Sequence, residues 1–119
     1  MKIVLDTNFF VSSINFKIDL FLELRGNKLF VTEPVIDELT ELAGKNGRDS
    51  TAARVSLEMI REKNLKVLES NEKEADNSLL EYGKKGYAVA TQDKRLRDKI
   101  RKTGTKIIYI RQKKYVFLE

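Results

Sequence analysis

Short unbroken apolar runs recur along the chain, and between them apolar residues return at every third or fourth position. Lys2–Leu5, Leu29–Val31, Leu65–Leu68, Tyr87–Ala90 and Lys106–Ile110 have the length expected of strands buried on both faces. Tyr115–Leu118 reads as a last, edge strand. Helical spacing covers Phe9–Ile14, Lys17–Arg25, Pro34–Ala43, Ala52–Lys63, Glu72–Tyr82 and residues 94–103. Leu20, Phe21 and Leu24 mark the second of these helices, and Val55, Met59 and Ile60 share one side of the fourth. Pro34 suits a first helical turn, and Gly26, Gly44, Gly83 with Gly86, and Gly104 serve as stops. Residues 45–50 form a polar loop. Strands alternating with helices at this spacing predict one α/β domain over residues 1–119, a mostly parallel sheet with helices on both faces.

In open α/β sheets, ligands gather beyond the carboxyl ends of the strands. Two predicted strands end there on small polar residues and an acid, Asp6-Thr7-Asn8 and Thr91-Gln92-Asp93. Two further acids lie early in helices that follow strands. Glu38 sits at the margin of the arc formed by Val35, Ile36, Leu39, Leu42 and Ala43. Asp76 falls inside the arc of Ala75, Leu79, Tyr82 and Gly83.

Taken singly, most of these acids have a plain reading. An aspartate before a helix is as readily an N-cap as a ligand, which applies to Asp6 and Asp93 alike. Glu38 alone reads as a solvated helix residue. Asp76 differs, because a carboxylate on a packing face is costly unless it pairs with a cation or holds a metal. Taken together, all four are able to approach one sheet edge. Two carboxylates about 4 Å apart repel by about 4 kcal/mol at an effective dielectric near 20, so four acids call for divalent cations. A site of that kind polarises a phosphate oxygen and activates water at neutral pH without a histidine.

Composition narrows the chemistry further. The chain has no Cys and no His. Disulfides, thiolate nucleophiles, histidine bases and Cys/His zinc sites are therefore excluded. The donors that remain suit a hard cation, Mg²⁺ or Mn²⁺. Charge is divided along the chain. Residues 1–83 carry 11 Lys/Arg against 15 Asp/Glu, and residues 84–119 carry 12 against 3. An acidic body with a basic last third suits a polyanionic partner beside a cation site, although a Lys- and Glu-rich surface also serves solubility. The predicted helix after Asp93 has an apolar stripe of only Leu96 and Ile100. Lys94, Arg95, Arg97, Lys99, Arg101 and Lys102 cover the rest, a candidate track for the phosphates of a polyanion. No apolar run reaches the roughly 18 residues of a membrane span, and no signal-peptide pattern opens the chain, so a cytoplasmic location is expected.

Four blocks in order, Leu5-Asp6-Thr7-Asn8, Pro34-Val35-Ile36-Asp37-Glu38-Leu39, Ala75-Asp76 and Ala90-Thr91-Gln92-Asp93-Lys94, resemble those of PIN domains across nearly the whole chain. The resemblance implies a Rossmann-like three-layer fold with five strands in the order 3-2-1-4-5. It also implies an Mg²⁺- or Mn²⁺-dependent endoribonuclease, often dimeric, acting on single-stranded RNA. Asp6, Glu38, Asp76 and Asp93 match the family's metal-binding acids, and Thr7, Asn8 and Thr91 match polar positions that support them. Arg54-Val55 after Ala52-Ala53, and the ending Tyr109-Ile110-Arg111-Gln112-Lys113-Lys114-Tyr115, look closest to the archaeal and eukaryotic branch of ribosomal RNA processing. VapC-type toxins, which work with an antitoxin partner, share the same four acids. Asn77 departs from the pattern, since many members carry a second Asp there. That departure keeps open a further reading, an inactive RNA-binding assembly factor. A phospho-accepting receiver domain is disfavoured, because Leu68 is followed by Glu69-Ser70-Asn71 rather than by an Asp.

Overall fold

The computed structural model describes residues 1–119. In chain order the elements are β1 (Lys2–Leu5), α1 (Thr7–Asn15), α2 (Leu20–Glu23), β2 (Lys28–Thr32), α3 (Glu33–Ala43) and α4 (Arg48–Glu62). They continue as β3 (Lys66–Leu68), α5 (Ala75–Lys84), β4 (Ala88–Ala90), α6 (Lys94–Arg101), β5 (Ile107–Arg111) and β6 (Tyr115–Leu118). The six strands form one sheet in the order β3-β2-β1-β4-β5-β6. The expected 3-2-1-4-5 arrangement is thus present and parallel. β6 extends it as an antiparallel edge, with Tyr109 opposite Phe117 and Arg111 opposite Tyr115.

Successive strand residues point to opposite faces, and the core divides accordingly. Ile3, Leu5, Val31, Ala88, Ala90, Ile108 and Ile110 pack with the residues of α1, α3 and α4, Phe9, Phe10, Val35, Leu39, Ala52, Ala53 and Ile60 among them. On the other face Val4, Phe30, Val89 and Ile107 meet Leu79 and Tyr82 of α5 and Leu96 and Ile100 of α6. Both layers were anticipated by the apolar spacing, and so was the narrow Leu96/Ile100 stripe.

Several boundaries differ, each for a local reason. The helix expected over Lys17–Arg25 is a single turn at Leu20–Glu23, held by Asp19, whose carboxylate accepts from the backbone N–H groups of Phe21 and Leu22. The expected loop 45–50 already contains the first residues of α4. Gly47 takes φ 112°, and the Ser50 and Thr51 hydroxyls both donate to its carbonyl. α5 begins at Ala75 rather than Glu72, and it passes through Gly83 to Lys84 instead of stopping there. Gly83 is needed for contact rather than for a turn: a Cβ there would stand 3.2 Å from Cγ2 of Thr105. α1 begins at Thr7 rather than Phe9, which places Thr7 and Asn8 in its first turn.

Candidate active site

Asp6 follows the last residue of β1, with its backbone N–H bonded to the carbonyl of Ala90 at 2.9 Å. That tie holds the ends of β1 and β4 side by side, so Asp6 and Thr91 are neighbours across the sheet. The Thr91 hydroxyl donates to Oδ2 of Asp6 at 2.6 Å, and the backbone N–H of Thr7 donates to Oδ1 at 2.7 Å. Asn8 accepts the backbone N–H of Gln92 through Oδ1 at 3.1 Å. The Thr91 hydroxyl in turn accepts from the backbone N–H of Asp93 at 3.1 Å. The Thr91 hydroxyl, the Asn8 side chain and the Thr7 backbone N–H thus tie the two strand ends together.

Asp6 is only 3% exposed. Burial pushes its carboxyl up from 3.8 to about 7, against the lowering effect of the Thr91 and Thr7 hydrogen bonds, and the charges of Glu38 and Asp76 add to the rise. Asp76, on the first turn of α5, is also raised, by desolvation first and then by Asp93, with Lys99 working in the opposite direction. Each acid thus feels the next across four elements, α3, the end of β1, α5 and the start of α6. The ion pairs of the chain are Lys85–Glu81, Arg101–Asp98 and Arg101–Glu119. None of the four acids is neutralised by a salt bridge, which removes the plain reading of Asp76 as a structural pair.

The four acids are not gathered equally. No three of them lie close enough to form a closed ligand cluster. Glu38 is exposed on α3, in an acidic cleft of about 360 Å³ with Asp76, Glu74, Asp37, Glu41 and Lys73. Asp93 caps α6, its Oδ1 accepting from the N–H groups of Arg95 at 2.9 Å and Leu96 at 3.2 Å. This open spacing suits Mg²⁺, which keeps several waters and takes one or two carboxylates together with substrate phosphates. The donor set is all hard oxygen. Thr7 Oγ1, buried beside Asp6, is the one buried side-chain polar atom without a hydrogen-bond partner. Residues and ion are compatible.

Two supports escaped the sequence. The Thr32 hydroxyl at the end of β2 pairs with Ser78 of α5 at 2.8 Å, and Ser78 also donates to the carbonyl of Ala75. This buried link sets α3, which carries Glu38, against α5, which carries Asp76. The Gln92 side chain bonds the backbone of Ile110 in both directions, accepting from N–H at 2.6 Å and donating to the carbonyl at 3.2 Å. Thr32 and Gln92 both stand at strand ends, and that position is the only signal the sequence offers for them.

Of the basic residues on α6, Lys99 reaches the field of Asp76, and Lys94, Arg95 and Lys102 are exposed. Arg97 donates to the carbonyl of Thr91 at 3.4 Å and lies over the Tyr109 ring at 4.3 Å. Arg101, exposed like Lys94, Arg95 and Lys102, is ion-paired. It is committed to Glu119 at 2.6 Å and to Asp98 at 2.7 Å.

Comparison with known proteins agrees with the geometry. Residues 3–113 match the family described as PIN like domain. The chain is 31% identical to Ribonuclease VapC4 of Methanocaldococcus jannaschii, over 96% of this chain and 93% of that protein. It is 32% identical to Ribonuclease VapC9 of Archaeoglobus fulgidus, over 98% and 87% respectively. Among solved structures it superposes on the PIN domain endonuclease Utp24 with a TM-score of 0.84 at 26% identity, covering 99% of this chain and 90% of that one. No helix is long and apolar enough to cross a membrane.

Proposed function

Because the chain belongs to the PIN-like domain family, we propose that it is an endoribonuclease that hydrolyses RNA phosphodiester bonds with the help of Mg²⁺ or Mn²⁺. The observation that carries the reading is Asp6, a buried carboxylate with no cationic side chain paired to it, set within the field of two further acids. In this reading Asp6 and Asp76 hold the ion, and Glu38 and Asp93 complete the acidic edge. When bound, the ion supplies Lewis acidity toward a phosphate oxygen and toward water.

The protein's own contribution is placement. Thr91 and the Thr7 N–H fix both oxygens of Asp6, so its carboxylate does not rotate away from the edge. Oδ1 of Asp93 is spent on the helix cap, while Oδ2 accepts no hydrogen bond from the protein and is free to orient the attacking water. Lys99, near Asp76, and the exposed Lys94 and Arg95 offer cations to phosphates on either side of the cut.

Ribosomal RNA processing is the role proposed first, on the resemblance of Arg54-Val55 after Ala52-Ala53, and of the ending Tyr109 to Tyr115, to the branch of the family associated with it. A second reading, a toxin held by an antitoxin, is favoured by the names of the VapC relatives. Binding of the chain to the product of an adjacent small gene separates the two. The nuclease itself is tested with a structured RNA in Mg²⁺ or Mn²⁺, comparing wild type with Asp6→Asn and Asp76→Asn. Loss of cutting in both variants is expected. Cutting at the wild-type rate in both sinks the assignment, and salt-sensitive binding without cleavage in either ion leaves an assembly factor as the better account.

A further inference from the structure

β5 and β6 carry a feature that the acidic edge does not use. Tyr109 and Arg111 of β5 and Tyr115 and Phe117 of β6 all project from one face of the hairpin, as their register requires. On that face two guanidinium groups flank a pair of aromatic rings. Arg97 lies 4.3 Å from the centroid of Tyr109. Tyr109 meets Phe117 edge-on at 5.5 Å, and Arg111 lies 4.8 Å over Phe117. A stabilised edge does not require this much exposed apolar surface: Tyr115 is 51% exposed and Phe117 36%. The hairpin is also tightly held. Gln112 and Lys113 both take positive φ, 53° and 57°, and the N–H of Lys114 closes the turn on the carbonyl of Arg111 at 3.0 Å. Two non-glycine residues in that region are strained, and the turn geometry matches the twist of paired strands.

The ladder joins the acidic edge directly. Arg97 bonds the carbonyl of Thr91, Gln92 bonds the backbone of Ile110, and Arg111 ends β5 at the same edge where Asp6 and Asp93 stand. We propose that Tyr115, Phe117 and Arg111, backed by Arg97 and Tyr109, form a platform on which unpaired bases of the RNA strand stack beside the cut site. Exposed aromatic faces with guanidinium groups among them bind single-stranded nucleic acid by stacking, with little sequence preference. The net excess of nine positive charges over residues 84–119 suits a polyanion rather than a second copy of this chain. The inference rests on the nuclease reading and adds to it the residues that would hold the bases of the substrate strand.

The test is binding by fluorescence anisotropy in EDTA, where cleavage is off. Wild-type protein is titrated against a labelled single-stranded RNA, the same strand with abasic nucleotides, and the duplex. Wild type is expected to prefer the base-bearing strand over the abasic one by about tenfold, the effect of one or two stacked bases. Tyr115→Leu and Phe117→Leu are expected to erase that preference while leaving abasic binding unchanged. Equal wild-type affinity for base-bearing and abasic strands overturns the proposal, and this arm needs no variant to fold. Sedimentation showing a dimer that either substitution splits also overturns it, by making the surface an interface between copies. The outcomes separate from those of the cleavage test. Asp6→Asn is expected to keep the base preference while losing cutting, and a chain that cuts without base preference retains the nuclease and loses the platform.

Discussion

Two strand ends of this sheet finish in an aspartate followed by a helix, and the fold treats them in opposite ways. At the end of β4, Asp93 is half-buried and reaches forward to the second and third N–H groups of α6, as Asp19 does for α2. At the end of β1, Asp6 accepts only the N–H of the very next residue and turns its other oxygen back to Thr91. One aspartate stabilises its helix. The other is buried, 3% exposed, and its carboxyl is lifted by that burial to about 7. The residue type is the same, and each stands at the N-cap of its helix. What differs is the distance from the strand: Asp6 directly follows β1, level with the buried Thr91 that directly follows β4, whereas Asp93 stands two residues beyond Thr91 and is half-buried.

The sharpest way to break the comparison is to neutralise each acid while keeping its shape. Asp6→Asn is expected to slow RNA cleavage by about 10²–10³-fold, the several kcal/mol that metal-assisted charge stabilisation supplies. Single-turnover rates in Mg²⁺ measure this. The same substitution should act in the reverse direction on stability. The folded-state pKa of Asp6 is raised above its unfolded value, so the native state holds the proton more firmly. That contribution is complete below about pH 4 and is lost as pH rises toward 7. In EDTA the wild-type melting point should therefore fall over this range. The loss, on the order of 4 kcal/mol for a shift from 3.8 to about 7, should vanish in Asp6→Asn. A flat wild-type profile would mean that the buried carboxylate costs the fold nothing.

Next in size is Thr91→Val, which removes the hydroxyl from Oδ2 of Asp6 and leaves the volume nearly unchanged. A 10–100-fold loss of activity is expected, as for groups that orient a metal-binding carboxylate, with restoration in Thr91→Ser. The smallest effect belongs to the other strand end. Asp93→Ala should cost about 1 kcal/mol through the lost cap, read by urea denaturation. Asp93→Asn keeps the cap, so any fall in its cleavage rate reports the charge alone.

The sequence made the sheet and both helical layers legible because the apolar period changes cleanly between elements, and the four acids were legible because each stands beside such a change. What it did not show depends on contacts between distant segments. Gly83 reads as a stop in isolation, and only Thr105, packed against it, reveals a residue required small inside a helix. The polar stretch before Ala52 reads as a loop, yet hydroxyls folding onto Gly47 let α4 begin within it. Ser78 looks like an ordinary helix residue until Thr32 arrives beside it. Arg101 looks like its neighbours in isolation, because its partner Glu119 lies 18 residues away. The family resemblance singles out four acids, but the difference between Asp6 and Asp93 is visible only in their surroundings.

The hydrogen bond from Thr91 to Asp6 joins residues 85 apart in the chain. Ribosomes make a protein from its amino end, so β1 emerges long before β4 exists to lie against it. Until then Asp6 has no Thr91 to hold its carboxylate, and α5 has not brought Asp76 near. The acidic edge is therefore incomplete throughout most of the chain's own synthesis.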